Sequence, residues 1–65
     1  MFGKRLSELR KQKGLSQAAL ARKAGLTSQA VNQLERGKRW PREATLRKLS
    51  TALDVALTDL LHEAA

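Results

Sequence analysis

With 65 residues the chain has room for one domain, near the lower size limit for independent folding, where roughly 60% of the unfolded surface is buried. Its hydrophobic 42% is mostly Leu and Ala, with one Phe, one Trp and no Tyr, which suits short helices and supplies little for a sheet. A net charge of +7 without cysteine excludes disulfides and thiolate metal sites and points to a polyanionic partner.

The charge is unevenly placed. All 13 Lys and Arg fall in residues 1–48, together with Glu8, Glu35 and Glu43, whereas residues 49–65 carry only Asp54, Asp59 and Glu63. A basic body with an acidic, leucine-rich end implies nucleic acid on one side and a different contact on the other. No long apolar run follows Met1, which reads as a native start, so neither a signal peptide nor a membrane span is expected and the protein is placed in the cytoplasm.

Residues 3–13 read as a first helix. Phe2, Leu6, Leu9 and Lys13 recur at i, i+4, i+7 and i+11, a narrow buried stripe among Lys4, Arg5, Glu8, Arg10 and Lys11. So basic an amphipathic helix also suits a membrane surface, but in so small a domain the stripe is needed for the core. Gly14 ends the helix and Leu15 packs over its end. Ser16 caps a second helix that begins at Gln17, with Leu20, Ala21 and Ala24 on one face. Gly25 supplies the left-handed conformation that stops it. Thr27 caps a third helix, from Ser28 to about Glu35, with Ala30, Val31 and Leu34 inward. Two short helices joined by a glycine turn make a helix-turn-helix over residues 17–36, and small Ala21 lets the two approach at a sharp angle.

The outer face of the third helix carries Gln29, Asn32, Gln33 and Arg36 at i, i+3, i+4 and i+7, with Ser28 at its edge. Asn and Gln each present a donor and an acceptor in a fork that matches N6 and N7 of adenine in the major groove. An ordinary solvated face usually contains Glu or Lys. The free N–H groups at the start of the second helix, beside Ser16 and Gln17, suit one phosphate. After the third helix, RGKRWPR places Arg36, Lys38, Arg39 and Arg42 within seven residues, as a salt-dependent anchor to the phosphate backbone requires. Trp40 fits three roles: stacking on a sugar, packing against a second subunit, or covering the end of the core. A fourth helix spans roughly Ala44 to Leu53, with Leu46, Leu49, Ala52 and Leu53 inward and Arg47 and Lys48 facing DNA backbone or solvent. A last helix, at about residues 57–62, contributes Leu57, Leu60 and Leu61.

Gln17, Leu20, Ala21, Gly25, Leu26, Val31 and Leu34 together resemble the helix-turn-helix of lambdoid phage repressors, Cro proteins and the wider XRE-like regulators. The resemblance runs from Gly3 to about Leu61. It implies an all-α, compact five-helix lambda-repressor-like DNA-binding domain. The implied function is a sequence-specific transcriptional regulator that reads a double-stranded operator as a homodimer on an inverted repeat, with half-sites roughly 10–10.5 bp apart. In proteins of this kind an arginine of the first helix pairs with a glutamate ending the recognition helix, and Arg10 and Glu35 occupy those positions. Gln17 takes a DNA-backbone role by the same likeness. Arg42 matches an arginine that enters the minor groove, although the loop here is about one residue shorter. The implied dimer interface joins the loop bearing Trp40 to Leu57, Leu60 and Leu61 of the last helix. Related chains precede that helix with a glycine turn and a serine cap. Asp54-Val55-Ala56 departs from both, so the helix is expected to start at Thr58 or to fray.

An enzyme is not expected. The chain has no paired carboxylates, no nucleophile beside a base, no glycine-rich phosphate loop, no metal cluster and no need of a cofactor; His62 stands alone. A second reading, from the same resemblance, is an interaction module of the antitoxin or coactivator type, with a toxin as protein partner. The chain ends at Ala65 without the arm such antitoxins usually need. A third is a DNA-binding domain belonging to a longer repressor.

Overall fold

Among the described residues, four of five helices end in the same hydrogen-bonded turn, and that repetition sets the architecture. The helices of this computed structural model are α1 (Phe2–Gln12), α2 (Gln17–Ala24), α3 (Ser28–Glu35), α4 (Glu43–Leu53) and α5 (Leu57–Leu61). The structure describes residues 2–62; Met1 and Glu63, the last carboxylate of the acidic end, lie outside them. After α1 the N–H of Gly14 bonds Lys11 O and that of Leu15 bonds Arg10 O, and the pattern recurs at Gly25–Leu26, Gly37–Lys38 and Asp54–Val55. This pair of hydrogen bonds satisfies carbonyls that a helix end leaves unpaired, and it requires a residue in the left-handed conformation at its first position. Glycine fills that position three times, with φ of 69°, 69° and 74°, and Asp54 fills it the fourth time with φ of 56°.

The beginnings are less uniform. Ser16 Oγ accepts the N–H of Ala19 at 3.0 Å and Thr27 Oγ1 accepts that of Ala30 at 3.0 Å, as their sequence positions predict. The N-cap residues of α4 and α5, Arg42 and Ala56, give no side-chain cap. α5 nevertheless starts at Leu57 rather than at Thr58. The turn before it is closed by Ser50, whose hydroxyl donates to Val55 O at 2.5 Å.

α1 packs on α3 and α5, α2 on α3 and α4, and α4 on α5. Leu6, Leu20, Val31, Leu49, Leu53 and Leu60 are almost wholly excluded from water at the centre, with Phe2, Leu9, Ala21, Ala24 and Leu34 around them. Each large aliphatic side chain contributes about 1.5–3 kcal/mol by leaving water, so these few leucines carry much of so small a domain. Ala21, 3% exposed, sits where α2 crosses α3. The stripe on α1 ends at Leu9. Lys13 lies beyond the helix, in the turn closed by Gly14, and is exposed, because no partner there offsets the burial of an ammonium group. No helix among the described residues is long and apolar enough to cross a membrane.

Candidate nucleic-acid interface

α3 is held from behind by a polar clamp. Arg10 of α1 donates from Nε to Glu35 Oε2 at 2.6 Å and from Nη2 to Glu35 Oε1 at 3.1 Å, while its Nη1 donates to Leu15 O at 2.9 Å. The hydrogen bond to Glu35 raises the guanidinium above its ordinary pKa; burial opposes the rise and the Glu35 charge adds to it. One charge, planar and forked, thereby ties α1, the turn before α2 and the end of α3 into a unit.

Gln17 belongs to the same clamp, which the sequence does not disclose. Its Nε2 donates to Glu35 Oε1 at 3.1 Å and its Oε1 accepts from Asn32 Nδ2 at 3.4 Å. One amide hydrogen of Gln17 remains for another acceptor at the start of α2. Ser16 uses its oxygen as a cap and keeps its hydroxyl hydrogen free. Asn32 is half-buried and turned toward Gln17, so it stands apart from the open edge of α3. Ser28 and Gln29 are exposed at that edge. Gln33 is half-buried, and its Oε1 accepts from Arg39 Nη1 at 3.5 Å, which brings a residue of the helix and one of the basic loop together.

The loop from Gly37 to Arg42 leaves Arg36, Lys38, Arg39 and Arg42 exposed around a buried Pro41. The one carboxylate on α3, Glu35, is held by Arg10, and Glu43 at the start of α4 is bridged by Arg47 at 3.1 Å. The outward surface of α3 and its loop is therefore neutral forks next to cations, with its acid groups compensated. Such a surface attracts phosphate and offers donors and acceptors to base edges.

Trp40 is 75% exposed and leans on Phe2, with ring centroids 5.8 Å apart and planes at 58°. Of its three sequence-level roles, covering the core is met only through this edge contact; most of the indole is open. The four residues assigned to a dimer interface separate. Trp40 and Leu61, the latter 45% exposed, face solvent, and Leu57 is half-buried. Leu60 is a correction: its side chain is 0% exposed, wholly used by the core of its own chain, and has no surface to offer a second subunit. Arg5, absent from the sequence-level assignments, fixes α5 to α1 by donating from Nε to Asp59 O at 3.0 Å.

The family described as Helix-turn-helix matches residues 6–60. The HTH-type transcriptional regulator PuuR of Escherichia coli K12 is 43% identical over 61 residues, which are 94% of this chain and 33% of PuuR; the chain thus spans about a third of that relative's length. The restriction-modification controller protein C.AhdI from Aeromonas hydrophila is 47% identical with a TM-score of 0.90, over 92% of this chain and 91% of that one. SinR, a master regulator for biofilm formation solved in complex with DNA, is 38% identical with a TM-score of 0.90, over 95% of this chain and 100% of that one. The curated SinR of Bacillus subtilis is 39% identical over 64 residues.

Proposed function

The chain belongs to the helix-turn-helix family, among the XRE-type regulators, and from that membership we propose that it is a transcriptional regulator that binds a double-stranded DNA operator sequence-specifically as a two-fold dimer. α3 enters the major groove, Ser28, Gln29 and Gln33 address base edges, and Asn32 contributes through its link to Gln17. Ser16, Gln17, Arg36, Lys38, Arg39 and Arg42 hold the phosphate backbone, so that position and sequence are set by different groups. Trp40, Leu57 and Leu61 face the second subunit. One recognition helix reads only a few base pairs, and pairing two on an inverted repeat with half-sites roughly 10–10.5 bp apart supplies the affinity that one lacks.

One observation carries this reading: Glu35, the carboxylate of α3, is engaged by Arg10, while the exposed edge beside it keeps uncharged Ser28 and Gln29 and four exposed cations. Burying one acid to leave a neutral, fork-bearing edge suits a phosphate-lined groove. Selection of the purified protein on a random duplex library at near-physiological salt tests it. Enrichment of an inverted repeat is the expected result. Salt-sensitive binding without any enriched motif would leave only a basic surface.

A further inference from the structure

We propose that Gly3 is a positioning residue for DNA reading: the missing side chain lets the first turn of α1 seat the C-terminal end of α3, and with it Gln33 and the basic loop. The proposal rests on the DNA-binding reading above for its consequence, though not for its geometry.

Gly3 is buried in the first turn of α1. A Cβ built there would lie 2.6 Å from Leu34 O, 2.9 Å from Glu35 C and closer still to Glu35 O. These are backbone atoms, which cannot swing aside as a side chain does. Ordinary van der Waals contact begins near 3.4 Å, so a methyl group there forces one element off the other by up to roughly 1 Å.

Both helices are anchored in the core, α1 by Leu6 and Leu9 and α3 by Val31 and Leu34, so the displacement falls on the closing turn of α3, beyond those anchors. The end of α3 runs straight into an exposed loop, and the carbonyls at issue belong to its closing turn, where Gly37 N–H bonds Leu34 O at 3.2 Å and Lys38 N–H bonds Gln33 O at 2.9 Å. Displacing Leu34 O therefore carries the loop along. Phe2, next to Gly3, touches that loop at Trp40, so the start of α1 grips the end of α3 on two sides. Local preference opposes this arrangement, since a helix favours Ala over Gly. A loss on replacing Gly3 with Ala must come from the contact with α3. Base recognition tolerates displacements of only about 0.5 Å, so a shift of this size is felt at Gln33.

The test is Gly3→Ala, read as the ratio of affinities for the selected duplex and a scrambled one, with backbone amide shifts recorded by NMR. The ratio does not depend on the fraction of folded protein, so simple destabilisation leaves it unmoved. The expected result is a roughly tenfold fall in the ratio, the weight of one good base contact, with amide shifts at residues 33–40 and an unchanged salt slope on the scrambled duplex. An unchanged ratio with shifts confined to residues 2–6 overturns the proposal. If the variant is unfolded in buffer, the same measurements are made in trimethylamine N-oxide, which favours the folded state; a chain that stays unfolded also overturns it, because an intact but displaced α3 is required. If the unaltered protein prefers no duplex, the functional reading fails, and the amide shifts alone decide whether Gly3 seats α3.

Discussion

Arg10 and Glu35 meet through two hydrogen bonds, at 2.6 and 3.1 Å, with side chains only 12% and 7% exposed. The pair joins residues 25 positions apart and fixes the angle of α3 against α1. A paired charge at this depth is no guarantee of net stability, since both ions lose hydration on folding. Its value lies in what either partner becomes when left alone.

Arg10→Ala is expected to destabilise the domain by about 3 kcal/mol, near the lower end for a stranded buried charge. Glu35 would then keep only the amide of Gln17. Glu35→Ala is expected to be milder, because Arg10 retains the Leu15 carbonyl at 2.9 Å. The double variant should lose less than the two singles added together, as removing the second charge ends the stranding. Urea unfolding midpoints of the three variants check the order, and strict additivity would show that the pair is not coupled.

The division of the DNA surface into readers and anchors is equally open to test. Gln29→Ala is expected to lose roughly 1–3 kcal/mol on the selected duplex and to relax preference at one position. Asn32→Ala, whose amide is turned toward Gln17, is expected to relax it less. Lys38→Ala should weaken binding to all duplexes alike and lower the salt slope by about 1. Anisotropy titrations at several salt concentrations distinguish the two patterns; identical behaviour of Gln29 and Lys38 variants would dissolve the division.

What was legible in the sequence was local. Ser16, Thr27 and Gly25 announce helix boundaries through their own backbone preferences, and the spacing of Leu20, Ala21, Val31 and Leu34 gives the inward faces of the motif. The departures are contacts between distant segments, or elements too short to show a phase. Gln17 joins the Glu35 clamp across 18 residues, and Gly3 lies against carbonyls of Leu34 and Glu35; no periodicity encodes either. Lys13 sits at helical spacing from Leu9 but beyond the last turn of α1. In five-residue α5, adjacent Leu60 and Leu61 have equal hydrophobicity, and only the packing on α1 and α4 decides which one is buried.

That decision makes Leu60 and Leu61 a discriminating pair. Leu60→Ala is expected to lose about 2–5 kcal/mol of folding stability, as for a core leucine, at every protein concentration. Leu61→Ala is expected to change monomer stability by less than about 0.5 kcal/mol while weakening self-association. Thermal unfolding gives the first quantity and sedimentation equilibrium, with and without duplex, gives the second. A Leu61→Ala variant with unaltered association would remove α5 from the dimer interface.

The junction between α4 and α5 is the place where the chain departs from its own rule for ending helices, and it can be corrected there. Asp54 holds φ of 56° where the other three turns of this kind use glycine. An L-residue in that region pays a steric penalty that aspartate only partly escapes. Asp54→Gly relieves it, while a freer unfolded chain takes back part of the gain, so a net stabilisation of about 0.5 kcal/mol is expected. Asp54→Val, branched at Cβ, is expected to destabilise by about 1–2 kcal/mol. Two residues on, Ala56 already has the extended backbone of an N-cap, with φ of −69° and ψ of 151°, and lacks only the oxygen. Ala56→Ser should therefore add about 1 kcal/mol without altering the backbone. Amide hydrogen exchange across residues 57–61 separates these effects from global stability: the two stabilising changes slow exchange in α5, and Asp54→Val speeds it. Equal exchange in all three variants would mean that α5 is held by Leu60 and by the Arg5 bond to Asp59 O rather than by its ends.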